Sequence, residues 1–342
     1  MQKLPPSYAN RLICPLDTTQ AGLFFSLVDY RNNYFASDDP NKIIEFYNIF
    51  GNRDHLIQWM RERPKGVANI HEVDGDKEII VVIPTADFNG KYAKECRENI
   101  FKGLHMVFVE SGGRVDFYFN FAHNCNVGLK KAMDYNPKYI IFTADDRYKI
   151  DDISKLIGEL GTKANLPVLM YPKFFPKSSF KHYVGKLNPL GRTIRFILTH
   201  TPILRKKISV YRTILLKKLL VDNNLALPGR LNNVFFTDHN RKYYVGDTEF
   251  VVFSKSLIEK YNIQLFFDDH FINGMEDHDF LFRLSLLQIP FETINYEIGL
   301  YYNASLGVSV ARDLRDIIDF VYFSDKWDGD NRTVKSKFNH KF

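Results

Sequence analysis

The chain has 342 residues, of which 45% are hydrophobic and 25% are charged, and its formal net charge is +6. This is the composition of a globular protein, and it excludes a chain that is disordered throughout. No stretch reaches the ~18 apolar residues of a spanning helix and no secretory signal is apparent, so the sequence predicts a cytoplasmic protein or one peripheral at the cytoplasmic membrane face.

The first 75 residues are predicted to form an N-terminal helical extension. Residues 37–40 (Ser-Asp-Asp-Pro) favour a helix start, and the apolar residues after them have helical spacing. A second short helix is expected from Asp54 to Arg63, where Pro64 follows. The main domain is expected to span residues 76–310, followed by a C-terminal helix and tail over residues 311–342.

Strands and helices alternate from residue 78 onward, which predicts an α/β domain with a mixed, mostly parallel central sheet flanked by helices. Short apolar runs indicate buried strands at Glu78–Pro84, His105–Glu110, Phe117–Phe121 and Tyr139–Thr143. Helices are predicted at Lys91–Phe101, at Asn126–Tyr135 and from Ile153 onward, the last capped by Asp151 or Asp152. Ligands of such sheets bind beyond the carboxyl ends of the strands.

Carboxylates follow three of these predicted strands. Asp87 follows the first, Glu110 closes the second, and Asp145 and Asp146 follow the strand that ends at Thr143. Two adjacent carboxylates can hold a hard divalent cation, which in turn neutralises a diphosphate. The alternative is a turn or a helix cap, because Asp is a common turn residue. The better cap at residues 151–152 leaves the pair available for function.

A second acidic motif is Gly274-Met-Glu-Asp-His-Asp, which precedes an apolar helical run. Carboxylates near a helix N-terminus are stabilised by the helix dipole, so Glu276, Asp277 and Asp279 are explained equally by capping. The functional interpretation is that one of them is a general base, which takes the proton of an acceptor hydroxyl. Arg283 follows one to two turns later and can pair with a carboxylate or a phosphate.

Four blocks in this order resemble the inverting family-2 glycosyltransferases of GT-A fold, over roughly residues 78–160 and 244–305. The blocks are Val81–Thr85, Val109–Gly112, Asn124–Ala132 with Tyr139–Asp146, and Gly274–Arg283. The resemblance implies a Rossmann-like GT-A domain, a UDP-, GDP- or dTDP-sugar donor, Mg²⁺ or Mn²⁺, and inversion at the anomeric carbon.

The same resemblance implies roles for individual residues. Asp277 corresponds to the catalytic base, and Glu276, Asp279 and Arg283 to residues that support the acceptor. The residues that correspond to the donor site are Pro84, Thr85, Ala86, Asp87, Glu110, Asn126 and Asp145. Asp145 and Asp146 correspond to the metal ligands.

Two features depart from the family pattern. The usual metal motif is Asp-x-Asp, whereas Asp145 and Asp146 are adjacent here, and Arg147 directly after them can replace part of the cation's charge. Many relatives also carry a late histidine near the diphosphate, and residues 299–305 contain none.

A basic segment lies between the two acidic motifs, inside an expected insertion over about residues 172–243. Thirteen basic residues and no acidic residue occur between Glu159 and Asp222. Residues 203–221 have amphipathic helical spacing, so residues 192–218 are predicted either to contact an anionic membrane surface or to form a core helix with a solvated basic face. Contact with a membrane surface agrees with a saccharide or lipid-linked acceptor. No nucleic acid partner is expected, because no nucleic-acid recognition module is present.

Two other classes of protein are alternatives to a glycosyltransferase. A nucleotidyltransferase needs a basic, glycine-rich phosphate loop after the first strand, but residues 84–90 contain one glycine and no arginine or lysine. A non-catalytic protein that binds a nucleotide-sugar or an anionic lipid on the same fold stays open, because fold alone does not give function.

Overall fold

The computed structural model describes residues 50, 53–112, 118–163, 166–175, 183–184, 242–243, 250–261, 267–272, 274–286, 289–301, 319, 321–323 and 325–326. The helix expected after residues 37–40, the amphipathic stretch at residues 203–221 and most of the expected insertion lie outside these ranges.

Eight strands form the central sheet, in the spatial order β1-β3-β2-β4-β9-β6-β10-β5. They are β1 (Asn69–Val73), β2 (Asp76–Thr85), β3 (Leu104–Glu110), β4 (Tyr139–Thr143), β5 (Arg147–Lys149), β6 (Leu169–Phe175), β9 (Phe250–Ser254) and β10 (Phe291–Leu300). Two short strands, β7 (Tyr183–Val184) and β8 (Lys242–Tyr243), pair with each other in a separate ladder.

The described helices are α1 (Arg53–Glu62), α2 (Lys91–Glu95), α3 (Phe121–Met133), α4 (Ile153–Thr162), α5 (Lys255–Tyr261) and α6 (Glu276–Leu286). A π-helical turn, Cys96–Ile100, continues α2. Residues 319, 321–323, 325 and 326 are also helical.

The expectation of a mixed α/β sheet is confirmed, but the expected excess of parallel strands is not found. Only β2 with β3, β2 with β4, and β6 with β10 are parallel among the seven neighbouring pairs of the central sheet. The other four pairs are antiparallel. The difference arises because β9 enters between β4 and β6 against the direction of both, and because β1 and β5 line the edges as antiparallel strands.

Several elements predicted from the sequence are confirmed, including β2, β3, β4 and the cap of α4, where the Asp152 side chain accepts from Ser154 N–H. The strand predicted at residues 117–121 is wrong. Asn120 caps α3 by accepting from the backbone N–H of His123, so the helix begins at Phe121. The region expected to be a helical extension also contributes strand β1 to the sheet edge. The sequence did not indicate this strand, because its residues are mostly exposed and form no apolar run.

Two apolar layers cover the faces of the sheet. On one face α3 and α6 pack against the sheet through buried side chains that include Val82, Val109 and Phe253. On the other face α2, its π-helical turn and α4 cover Val81, Ile83 and their neighbours. Because both faces are covered, the inner strands have continuous apolar runs rather than alternating ones.

Glycine allows α3 to lie unusually close to the sheet. A Cβ atom added at Gly128 would lie 2.5 Å from a methyl of Val82 and 2.8 Å from a methyl of Val109. This close approach sets the distance between α3 and strands β2 and β3, and therefore the positions of the side chains that α3 carries. In the described part of the chain, no helix is both long enough and apolar enough to cross a bilayer.

Candidate active site

Thr85, Glu110 and Asp145 meet at the carboxyl ends of three neighbouring strands. Thr85 and Glu110 are register partners at the ends of β2 and β3, and Ser111 N–H donates to the Thr85 carbonyl oxygen at 3.0 Å. From β4 the chain continues to Asp145, whose Oδ2 accepts a hydrogen bond from the Thr85 hydroxyl at 2.6 Å. This is the edge at which α/β sheets bind ligands. The structure therefore brings together one residue from each of the first three predicted blocks.

Asp145 is in an environment that favours a nearby positive charge. Burial is the main cause that raises its pKa to about 6; the Thr85 hydroxyl opposes the shift, and the charge of Asp146 adds to it. A desolvated carboxylate beside a second carboxylate is stabilised in its ionised form by a cation within a few ångströms. The site can therefore accept a cationic group close to Asp145.

Arg147, which directly follows the acidic pair, supplies one such charge. Its side chain is 1% exposed, and its Nη1 donates both to the Asp146 carboxylate and to the Asp146 carbonyl oxygen. The Tyr301 N–H also donates to that carbonyl at 3.1 Å. Asp146 is thus held by a buried guanidinium, and Asp145 is the member of the pair that faces Thr85.

Mg²⁺ in nucleotide sites is usually held through one or two carboxylates together with substrate phosphates. The buried, pKa-raised carboxylate of Asp145 fits that requirement. Asp146 fits it less well, because Arg147 already neutralises its charge. The residues present therefore suit a divalent cation with Asp145 as its protein ligand.

Glu110 organises the loop after β2. One carboxylate oxygen accepts from the Phe88 backbone N–H at 2.9 Å, and the other lies 2.9 Å from His71 Nε2. The His71 and Phe88 rings are stacked with centroids 4.3 Å apart, and the guanidinium of Arg97 lies 4.7 Å from the Phe88 centroid. Glu110 therefore ties residues 86–90 to β1, and Asp87 is left exposed at the mouth of this loop.

The start of α6 carries the second acidic motif. Met275, directly before the helix, has a φ of +64°, a left-handed conformation that a non-glycine residue keeps only where its surroundings enforce it. Asp277 is half-buried, whereas Asp279 is fully buried. Arg283 Nε donates to Asp279 Oδ2 at 3.1 Å, so the arginine predicted to pair with a carboxylate or phosphate pairs here with a carboxylate of its own helix.

Aromatic packing joins α6 to the face of the sheet that α3 covers. Phe142, in β4, lies 5.4 Å from Phe267, and Phe267 stacks on Phe280 of α6 at 4.5 Å between centroids. Burial, followed by the charge of Glu276, raises the pKa of the Cys125 thiol in α3, which places Glu276 beside that helix. The acidic motif of α6 therefore lies on the face of the sheet that α3 covers, whereas Cys96, whose thiol donates to the Asp145 carbonyl oxygen at 3.4 Å, belongs to the layer on the other face.

Asn126, a predicted donor-binding residue, has a different environment from Thr85, Glu110 and Asp145. Its amide nitrogen donates to the Phe267 carbonyl at 2.9 Å, and its amide oxygen accepts from the Phe267 N–H at 2.7 Å. Asn120, at the cap of α3, donates to the carbonyls of Asp269 and Phe271. Both asparagines hold the loop that leads into α6.

Asp268, Asp269 and His270 form a second polar cluster in that loop. Their ligand atoms lie within 4.8 Å of one another, a spacing that a metal ion could use. However, Lys326 donates to Asp268 at 2.6 Å, and Lys65 lies 3.4 Å from Asp269. Burial alone would raise the pKa of Asp268, but the hydrogen bond from His270 and the charge of Lys326 outweigh it and hold the pKa far below its usual range. We interpret the cluster as an ion-pair network.

Sequence reasoning missed several residues around these sites. His71 and Arg97 flank Phe88, and Lys326 bridges to α6 from the far end of the chain. None belongs to a motif with a recognisable spacing; the one available signal was the polar triplet at residues 268–270 directly before the acidic motif. No protein-family model and no curated protein matches the sequence, so the geometry of the site carries the functional interpretation.

Proposed function

We propose that the protein is an inverting glycosyltransferase of GT-A fold, which transfers a sugar from a nucleotide-diphosphate sugar to an acceptor hydroxyl. One observation carries the proposal: Thr85, Glu110 and Asp145 converge at the carboxyl ends of three parallel strands. The half-buried Asp277 in the first turn of α6, next to Glu276 that lies beside α3, supports it further. Sugar transfer requires a nucleotide site together with a general base.

In this mechanism the donor's nucleotide lies across residues 84–87 and Glu110, with its diphosphate towards Asp145. The exposed Asp87 and the loop fixed by Glu110 bind the nucleoside. The buried Arg147 offsets the negative charge of Asp146, with which it forms an ion pair. The protein thus holds the donor in place before the sugar is transferred. This positioning raises the rate of the transfer step, because the reacting groups no longer have to find each other in solution.

Asp277 then accepts the proton of the acceptor hydroxyl as the hydroxyl oxygen attacks the anomeric carbon. A new carbon–oxygen bond forms while the bond from that carbon to the diphosphate oxygen breaks, and the nucleoside diphosphate leaves with the bonding electron pair. A single displacement inverts the anomeric configuration. Arg283 donates to Asp279 at 3.1 Å, and Glu276 is the neighbour of Asp277, so these residues would support the first turn of α6 that carries Asp277.

Asp145 would hold Mg²⁺ or Mn²⁺, with Asp146 as a weaker second ligand because it is bound to Arg147. When bound, such an ion neutralises the diphosphate leaving group.

The acceptor is proposed to be a saccharide, either free or linked to a lipid. The basic residues of segment 192–218 would contact an anionic membrane surface at the cytoplasmic face, since each basic residue near such a surface contributes about 1 kcal/mol. Co-sedimentation with vesicles that contain anionic lipid tests this contact. Equal recovery with neutral and anionic vesicles would contradict it.

The function is tested by incubating the protein with UDP-, GDP- and dTDP-sugars, with Mn²⁺ or with EDTA, and measuring release of the nucleoside diphosphate. We expect one nucleotide to be preferred and its donor to be turned over. The wild-type protein is compared with Thr85→Val, which removes the hydroxyl that holds Asp145 at nearly the same side-chain volume. Equal turnover by both proteins would contradict the proposed donor site.

The pairing of Asp146 with Arg147 favours a second candidate, a non-catalytic protein that binds a nucleotide-sugar, because it leaves a single carboxylate for a metal. This candidate predicts that a nucleotide raises the melting temperature but that no donor sugar is released.

A further inference from the structure

Lys326 joins the far end of the chain to the two acidic elements around α6. Its Nζ donates to Asp268 at 2.6 Å and lies 2.9 Å from Asp279 Oδ1, and its side chain is 10% exposed. The two carboxylates are 3% and 0% exposed as side chains. One buried ammonium therefore bridges the loop before α6 and the first turn of α6 itself.

The geometry of a helix connects this bridge to Asp277. Residues two positions apart are separated by about 200° around the helix axis. Asp279 is fully buried, and Asp277 on the opposite side of the turn is half-buried. Fixing Asp279 inward therefore sets the rotation of the first turn and keeps Asp277 directed outward.

The charges explain why a cation is needed at this point. The first turn of α6 carries Glu276, Asp277 and Asp279, and Arg283, the basic residue of the last turn, donates from Nε to Asp279 Oδ2. A buried carboxylate without a compensating cation is strongly unfavourable. Lys326 supplies a further cation, which is shared between Asp279 Oδ1 and Asp268.

The segment that carries Lys326 is itself anchored. Tyr322 donates to Asp268 at 3.0 Å, and the Asp319 carboxylate accepts from the Ile272 backbone N–H at 2.6 Å. Asp325 pairs with Arg53 of α1 at 3.3 Å. The residues that precede Lys326 are thus anchored to α1 and to the loop before α6, which fixes the position of its ammonium against α6.

We propose that Lys326 is a positioning residue for Asp277: by bridging Asp268 and Asp279 it fixes the first turn of α6 in the orientation that presents the base to the acceptor hydroxyl. The role of Asp277 as base rests on the proposed function, whereas the fixing of α6 does not. A displacement of about 1 Å at a reacting group can lower a rate on the order of 10²-fold.

Two variants of Lys326 test the inference. Lys326→Met removes the charge at similar length, and Lys326→Arg keeps it. Lys163→Met is the matched control, since Lys163 forms a 2.9 Å ion pair with Glu292 between α4 and β10, away from α6. Hydrogen exchange at the amides of residues 276–280 is measured in the full-length protein, together with kcat and KM for the donor that the screen identifies.

We expect Lys326→Met to accelerate exchange at residues 276–280 selectively, and to lower kcat on the order of 10²-fold with a donor KM within about twofold of wild type. Lys326→Arg should retain slow exchange and most of kcat, and Lys163→Met should match wild type at residues 276–280. If Lys326→Met does not fold, Lys326→Gln, which keeps an N–H donor without the charge, replaces it.

Unchanged exchange at residues 276–280 in the Met or Gln variant would overturn the inference, as would a KM that rises while kcat is unchanged. If the wild-type protein turns over no donor, the proposed function fails; accelerated exchange in the variant would then still support Lys326 as the residue that fixes α6.

Discussion

Replacing Gly128 with alanine tests the close contact on which the height of α3 depends. The new Cβ would lie 2.5 Å from a Val82 methyl and 2.8 Å from a Val109 methyl, and both valines are completely buried. Ordinary carbon contacts are about 3.5–4.0 Å, so α3 would have to withdraw by about 1 Å. Asn120 and Asn126, which hold the loop before α6, would move with it.

The magnitude follows from two opposing effects. Overpacking a closely packed interior costs about 1–3 kcal/mol, whereas alanine gains about 1 kcal/mol over glycine in a helix interior. We therefore expect Gly128→Ala to lower the free energy of unfolding by up to about 2 kcal/mol. Gly158→Ala in α4 is the matched control, because its Cβ would meet nothing within 4 Å and the position is exposed. That substitution should stabilise the protein by about 0.5–1 kcal/mol.

Urea unfolding of wild type and the two variants, followed by far-UV circular dichroism, gives the three free energies by linear extrapolation. The two substitutions should shift the midpoint in opposite directions. A Gly128→Ala protein as stable as the Gly158→Ala protein would refute the close approach of α3 to β2 and β3.

Three further predictions concern stability and reactivity. Asn126→Ala should lower the free energy of unfolding by about 1–3 kcal/mol, since the backbone N–H and carbonyl of Phe267 lose their side-chain partner. A loss of nucleotide affinity at unchanged stability would instead assign Asn126 to the donor site. The thiols of Cys96 and Cys125, whose pKa values are raised well above the usual range by burial, should react with a disulfide reagent only after unfolding, and fast reaction of either in the native protein would contradict their burial. The pKa of Asp268 is depressed in the folded state, so its stabilising contribution is present above the unfolded pKa of about 4 and is lost as the pH falls towards the folded value. The difference in the free energy of unfolding between wild type and Asp268→Asn should therefore shrink below about pH 4. A difference that grows there would contradict the ion-pair network.

The sequence predicted those parts of the fold that depend on local patterns. β2, β3 and β4 are continuous apolar runs because both faces of the sheet are covered, and Asp152 caps α4 as its position indicated. The strand-end positions of Glu110 and Asp145 followed from the same patterns. Their contact through Thr85 required only that β3, β2 and β4 be parallel neighbours.

Long-range pairing could not be predicted in this way. β9 is a continuous apolar run like a buried parallel strand, yet it runs antiparallel between β4 and β6. The residues of β9 alone do not indicate in which direction the strand runs. β1 is largely exposed and lacks the apolar signal of a strand. Lys326 lies 47 residues from Asp279, and only the folded chain brings the two charges to 2.9 Å.

The catalytic assignment of Asp277 is tested most directly by the turnover rate of Asp277→Asn with the donor identified by the nucleotide-sugar screen. Asp134→Asn, at the exposed C-terminal end of α3, is the control for the same chemical change at a distant carboxylate. Removing a general base lowers a rate about 10²–10⁴-fold, so we expect a loss of that size in Asp277→Asn with unchanged nucleotide affinity, and wild-type turnover in the control. Wild-type turnover by Asp277→Asn would contradict the role of Asp277 as the base.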